Sequence, residues 1–142
     1  VTLILDASMA LSWLLQRKDP DEAALSGQAL DVVRASGAMV PALWYLEVAN
    51  ALLLAERQRV ISPEATAYFL SSLSIWEIVQ DSVLPALCQT QVIHLSRVYK
   101  LTAYDATYLE LALRRAATLA TFDRKLAEAA RSAGVRVFGD PV

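Results

Sequence analysis

Residues 119–126 read Leu119-Ala120-Thr121-Phe122-Asp123-Arg124-Lys125-Leu126. A short apolar run, Leu119 to Phe122, passes directly into an acid. The acid passes into a helical pattern that continues to Ser132 and stops at Gly134. The stretch reads as a strand, a carboxylate at the strand's end, and a helix. The same order opens the chain: Thr2 to Leu5 is a strand candidate, Asp6 follows it, and Met9 to Leu15 reads as a short helix with Ser8 placed to cap it.

Between these ends the pattern alternates. Asp19-Pro20-Asp21-Glu22 is a helix start, with an Asp cap, Pro at the first position and Glu at the third. That helix runs to about Ser36 and Gly37 stops it. Ala38 to Val40 is a second strand, and Pro41 leads into a helix from about Ala42 to Arg59. Ser62-Pro63-Glu64 starts another helix, to about Leu73, and Ile75 to Gln80 is a third strand candidate. Leu84, Leu87, Cys88, Gln91, Leu95 and Val98 recur at helical spacing up to Lys100. Thr102 and Asp105 form a capping-box-like pair ahead of the Ala106 to Ala116 helix, and Val135 to Phe138 is a fifth strand. Strands separated by helices imply parallel strands joined by right-handed crossovers. The expected fold class is α/β, a parallel central sheet of about five strands with helices on both faces, in a single domain over residues 1–142.

Composition narrows the chemistry. The chain has 142 residues, 56% of them hydrophobic and 20% charged, which excludes a disordered chain. Its one cysteine, Cys88, excludes an internal disulfide framework, and its one histidine, His94, excludes His-rich metal sites and histidine-pair catalysis. The net charge of −2 supplies no global attraction for nucleic acid, so any such binding rests on local patches. The opening residues carry no basic lead of a signal peptide. The longest apolar stretch, Ala38 to Ala55, holds Pro41, Glu47 and Asn50, which argues against a membrane span. Cytoplasm is the default expectation.

Parallel α/β sheets place their chemistry beyond the carboxyl ends of the strands. Asp6 and Asp123 stand there, Asp105 lies in the first turn of a helix, and Glu47 lies in the helix after the second strand, with Asn50 one turn further on. The Glu47 helix is apolar on nearly every side, so burial is expected, and no cation lies within one turn of Glu47. Each acid alone has a structural explanation: caps for Asp6, Asp105 and Asp123, a core arginine for Glu47. Together they form a set. Two carboxylates about 5 Å apart repel by about 3 kcal/mol at an effective dielectric near 20. Four ionised acids therefore separate or protonate unless a cation intervenes. An all-oxygen site without His or Cys suits Mg²⁺ or Mn²⁺, and a water made acidic by such an ion is a nucleophile for phosphodiesters.

The residues that carry this chemistry also resemble a known family. Leu5-Asp6-Ala7-Ser8, Glu47-Val48-Ala49-Asn50, Leu101-Thr102-Ala103-Tyr104-Asp105-Ala106 and Leu119-Ala120-Thr121-Phe122-Asp123-Arg124-Lys125-Leu126 resemble a PIN-domain ribonuclease, in particular the VapC toxins of toxin–antitoxin pairs. The resemblance covers essentially the whole chain. It implies a Mg²⁺- or Mn²⁺-dependent endoribonuclease leaving 5′-phosphate and 3′-hydroxyl ends. It implies that Asp6, Glu47, Asp105 and Asp123 form the acidic quartet, that Ser8 and Thr121 are accessory hydroxyls, and that Asn50 is a polar neighbour orienting the acids. It also implies a homodimer and a small cognate antitoxin.

For RNA phosphates the nearest cations in sequence are Arg124 and Lys125, at a helix start, and Arg17 and Lys18, which end the first helix. Trp13, Leu14, Leu15 and the Ala51 to Ala55 stretch offer apolar surface for a partner groove. A competing reading is a PIN-like scaffold that binds RNA or protein without cutting. A dehalogenase-type phosphatase would place a second Asp two residues after Asp6, where Ser8 stands, and no Gly-rich phosphate loop is present.

Overall fold

The computed structural model describes residues 2–142. The elements run β1 (Leu3–Leu5), α1 (Ala7–Leu11), α2 (Pro20–Ser36), β2 (Ala38–Val40), α3 (Leu43–Arg57), α4 (Pro63–Ile75), β3 (Ile78–Gln80), α5 (Pro85–Tyr99), α6 (Ala103–Arg115), β4 (Thr118–Ala120) and α7 (Arg124–Ser132). The four strands make one parallel sheet in the order β3-β2-β1-β4. Ile4 lies opposite Met39 on one side and Leu119 on the other. The fold is α/β with its helices flanking the sheet, as the alternating pattern predicts.

The helix boundaries follow local chemistry. Asp19 accepts from the Glu22 amide, Ser62 from Ala65, Thr102 from Asp105 and Asp123 from Leu126, four side-chain caps at four helix starts. Gly37 takes a positive φ of 77° against the Glu77 carbonyl, where a Cβ would come within 2.5 Å of that oxygen. The two inner strands are fully apolar because both faces of the sheet are covered, and Ile4, Leu5, Met9, Leu119, Tyr108 and Leu109 make the centre of the core.

Four expectations change. Val135 to Phe138 is not a fifth strand: it meets β4 through a single parallel bridge, Leu119 to Val137. The reason is local, since Gly134 and Gly139 both take positive φ and turn the chain away on either side. The first helix begins at Ala7, so Ser8 is inside it and is not a cap. Ile75 closes α4 rather than opening a strand, and β3 is a short, mostly exposed edge. The Glu47 helix is not largely buried: Trp44, Val48, Leu52 and Ala55 face the core, whereas Tyr45, Leu46, Leu53 and Leu54 are exposed. Among the described residues no helix is long and apolar enough to cross a membrane.

The topology fixes where chemistry can sit. Right-handed crossovers put the β1-to-β2-to-β3 connections on one face, and the β3-to-β4 connection, crossing the sheet in the opposite direction, on the other. The order therefore reverses between β1 and β4, which opens a crevice beyond their carboxyl ends. Asp6 and Thr121 are the first residues past β1 and β4; Pro41 and Asp81 are those past β2 and β3. One rim thus has two halves, one over β1 and β4 and one over β2 and β3.

Candidate active site

Asp6 sits at the centre of the first half. Its amide donates to the Ala120 carbonyl (3.0 Å), which ties the end of β1 to the end of β4. The Ser8 hydroxyl and the Thr121 hydroxyl both donate to the same oxygen of Asp6, Oδ2, each at 2.6 Å. Those hydroxyls are themselves held: Ser8 Oγ accepts from the Phe122 amide (2.9 Å) and Thr121 Oγ1 from the Asp123 amide (2.9 Å). Two hydroxyls on Oδ2 fix the carboxylate plane. Burial is the main influence on Asp6 and pushes its pKa up; the Ser8 and Thr121 hydrogen bonds oppose this, and Asp123 adds to it.

Glu47 reaches the site from α3. Its Oε1 accepts from the Tyr108 phenol. Burial raises its pKa first, the Tyr108 bond lowers it, and the charges of Asp6 and Asp105 raise it again. Asp105 comes from the first turn of α6. Burial again raises its pKa, Asp123 and Asp6 raise it further, and Thr102 and Lys125 pull it down. Asp123 uses one oxygen, Oδ1, to cap α7 through the Leu126 amide at 2.9 Å, so the cap and the site share one residue.

The four acids predicted from sequence, drawn from four separate elements, thus stand in one another's fields. None of them makes an ion pair with Lys or Arg among the described residues; every such pair lies elsewhere. As placed, no group of three His, Cys, Asp or Glu among the described residues is close enough to hold a metal ion. The donor set nevertheless fits Mg²⁺ or Mn²⁺: it is all oxygen and lacks a cation. Mg²⁺ is commonly held by one or two carboxylates with water and substrate phosphate making up the rest.

The remaining predicted residues divide. Ser8 and Thr121 are at the centre of the site. Asn50 is exposed on α3, and no hydrogen bond joins it to any of the four acids. Arg17 lies over the Phe122 ring, 4.3 Å from its centroid, and pairs with Glu22 at 3.1 Å. Arg124 lines a charged cavity of about 450 Å³ together with Phe122, Asp123 and Arg131. Lys125 is exposed, close enough to Asp105 to lower its pKa. Lys18 is exposed, and His94 is exposed on α5. Tyr108 was missed by the sequence reading. The signal was present: it lies three residues after Asp105, one turn along the same helix.

Comparison with known proteins agrees with this fold. A family model described as PIN domain matches residues 3–132. A solved structure, PAE2754 from Pyrobaculum aerophilum, superimposes with a TM-score of 0.67 at 22% identity, covering 91% of this chain and 84% of that one. FitAcB from Neisseria gonorrhoeae superimposes with a TM-score of 0.63 at 20% identity, covering 97% of each chain. At these identities the likeness is one of fold. A search of curated proteins finds no match.

Proposed function

The chain belongs to the PIN-domain family, and on that premise we propose that it is a Mg²⁺- or Mn²⁺-dependent endoribonuclease, the toxin of a toxin–antitoxin pair. That family consists mostly of Mg-dependent ribonucleases and toxins. The observation that carries the reading is the cluster itself: four carboxylates from four elements, mutually repelling, with no ion pair to Lys or Arg among the described residues.

Asp6, Glu47, Asp105 and Asp123 are the residues that would hold the ion. When bound, the metal would offset their repulsion, polarise a phosphodiester and lower the pKa of a water. The protein's own residues do the positioning. Ser8 and Thr121 lock Asp6, and Tyr108 donates to Glu47 and so orients it, opposing the rise in its pKa. Burial and the neighbouring acids raise the Tyr108 pKa, so the phenol remains a donor near neutral pH. Asp123, held by its cap bond to Leu126, keeps its second oxygen for the site. Arg124 and Lys125, exposed at the start of α7, offer charge to the RNA backbone.

The partners proposed are RNA, a second copy of the chain and a small antitoxin. For the antitoxin, the exposed apolar side of α3 and α4 is the surface of choice. Leu53, Leu54 and Tyr68 are exposed on these helices, and a separate cavity of about 330 Å³ is lined by Tyr45, Leu70 and Trp76. Trp13 belongs to this surface only indirectly, since its ring stands edge-on against Trp76.

The test is cleavage of RNA with Mg²⁺ or Mn²⁺ by the wild type, Asp6→Asn and Asp105→Asn. Activity in the wild type and loss in both variants supports the reading. Equal activity in all three overturns it, and metal-independent RNA binding without hydrolysis replaces it with the scaffold reading.

A further inference from the structure

Residues 121–123 join β4 to α7 and belong to neither element. Two of their amides are held by side-chain hydroxyls: Phe122 donates to Ser8 Oγ and Asp123 to Thr121 Oγ1, each at 2.9 Å. Both hydroxyls in turn donate to Asp6 Oδ2. The orientation of Asp6 therefore depends on where the backbone of this segment lies. Segments outside helices and sheets are where local opening concentrates, unless side-chain contacts fix them.

Phe122 is the middle residue of the segment, and the core holds its ring only in part. The residue is half-buried and borders the charged cavity of about 450 Å³, whose lining also includes Thr121, Asp123 and Glu22. Arg17 supplies a contact that core packing lacks. Its guanidinium lies 4.3 Å from the centroid of the Phe122 ring, and its Nη2 donates to Glu22 at 3.1 Å. A planar guanidinium stacks on a ring and keeps N–H groups for a carboxylate at the same time. Glu22 stands in the first turn of α2, where its amide is capped by Asp19, so the cation is tied to a helix start. The contacts run without a gap from α2 through Arg17 and the Phe122 ring to the two amides, the two hydroxyls and Asp6. No ion pair joins Arg17 to any of the four site acids, so its charge is engaged by the ring and by Glu22.

We propose that Arg17 is a positioning residue of the acid site: by holding the Phe122 ring it fixes the segment whose amides set the hydroxyls on Asp6. This departs from the sequence expectation, which placed Arg17 among the cations for RNA phosphates. It rests on the nuclease reading for the role it gives Asp6, and the first arm of its test needs neither metal nor RNA.

That arm compares amide hydrogen exchange at Phe122 and Asp123 with exchange at Leu119, whose amide is held by the Arg136 carbonyl at 2.9 Å. Arg17→Ala is expected to speed exchange at Phe122 and Asp123 about two- to five-fold, the strength of an exposed cation–ring contact, and to leave Leu119 unchanged. Arg17→Gln serves as the second variant if the first loses its fold. With Phe122→Leu in place, Arg17→Ala is expected to add nothing at Asp123, because the ring it acts through is gone. No response at Phe122 and Asp123, or an equal response at Leu119, would overturn the proposal. The second arm is RNA cleavage, where Arg17→Ala is expected to lower kcat about two- to five-fold at unchanged KM. An unchanged kcat would also overturn the proposal. So would a raised KM whose salt slope is shallower by about one, since that makes Arg17 a phosphate contact. If the wild type cleaves RNA and exchange does not respond, the nuclease reading stands and the positioning role falls. If exchange responds and the wild type cleaves nothing, Arg17 remains the anchor of the segment and the nuclease reading falls.

Discussion

Two acidic clusters share the rim of this sheet, and they are built in opposite ways. Over β2 and β3, Asp81 and Glu110 are bound by one guanidinium, Arg114, with Arg115 at 3.8 Å from Asp81. The Arg114 hydrogen bonds hold the Asp81 pKa below its ordinary value. Over β1 and β4, Asp6, Glu47 and Asp105 have hydroxyls and a phenol for partners, and their pKa values rise. One cluster is satisfied by the fold and stabilises it. The other is left short of positive charge, a state that a divalent ion would complete. Carboxylates at the ends of parallel strands therefore do not by themselves mark a site; the missing cation does.

The largest break in the comparison is expected from Asp6→Asn. Losing a residue that merely orients a metal ligand typically costs about 10–100-fold, so losing this carboxylate should cost more than about 100-fold in the rate of RNA cleavage. Thermal unfolding without metal should show equal or greater stability, because a buried, repelled charge is gone. A variant that is both inactive and strongly destabilised would instead give Asp6 a structural role. Next in size, Arg114→Ala should do the reverse, leaving Glu110 buried without its cation and Asp81 with only the longer Arg115 pair. Breaking a fully buried pair costs roughly 3–5 kcal/mol, and Arg114's partial exposure lowers the expectation to about 2 kcal/mol. Urea denaturation measures it; unchanged stability would show that the satisfied cluster contributes nothing.

Much of this contrast was legible in the sequence. The Asp6 and Asp123 positions followed from strand ends, and the helix starts at Asp19, Ser62 and Thr102 followed from capping chemistry. The half-exposed face of α3 was not legible, because an all-apolar helix reads the same whether a partner protein or the core covers it. The fifth strand failed because pairing is a tertiary property that two flanking glycines cut short. Asn50 drew attention by helical spacing and by the family resemblance, and neither says how far a side chain reaches. Tyr108 escaped because an aromatic residue in an apolar helix face reads as core, which it also is.

Tyr108→Phe therefore carries the third prediction. It removes the phenol that holds Glu47 while keeping the ring in the core. The expected loss is about ten-fold in cleavage rate, at the lower end of what a residue orienting a metal ligand contributes. Stability should change by less than for Arg114→Ala. A steady-state assay that finds Tyr108→Phe fully active would detach Tyr108 from the chemistry.

The smallest effect is a change in the shape of a pH profile, and it separates the two clusters by sign. Asp81 has a folded pKa below its ordinary 3.8, so its contribution to stability is present above that value and is lost as pH falls through the depressed folded value. Asp6, Glu47 and Asp105 have folded pKa values above their ordinary 3.8, 4.5 and 3.8. Their contribution is greatest below those ordinary values and is lost as pH rises through the raised folded values, where ionisation restores the repulsion. Without divalent ions, the melting temperature should therefore climb as pH is lowered from neutrality, then fall at more acidic pH as Asp81 protonates. Asp105→Asn should flatten the neutral limb only, and Arg114→Ala the acidic limb only. Added Mg²⁺ or Mn²⁺ should flatten the neutral limb in the wild type, because a bound cation favours the ionised carboxylates that repulsion penalises. If both substitutions act on the same limb, the clusters are electrostatically one, and the division of the rim into a satisfied half and a reactive half does not hold.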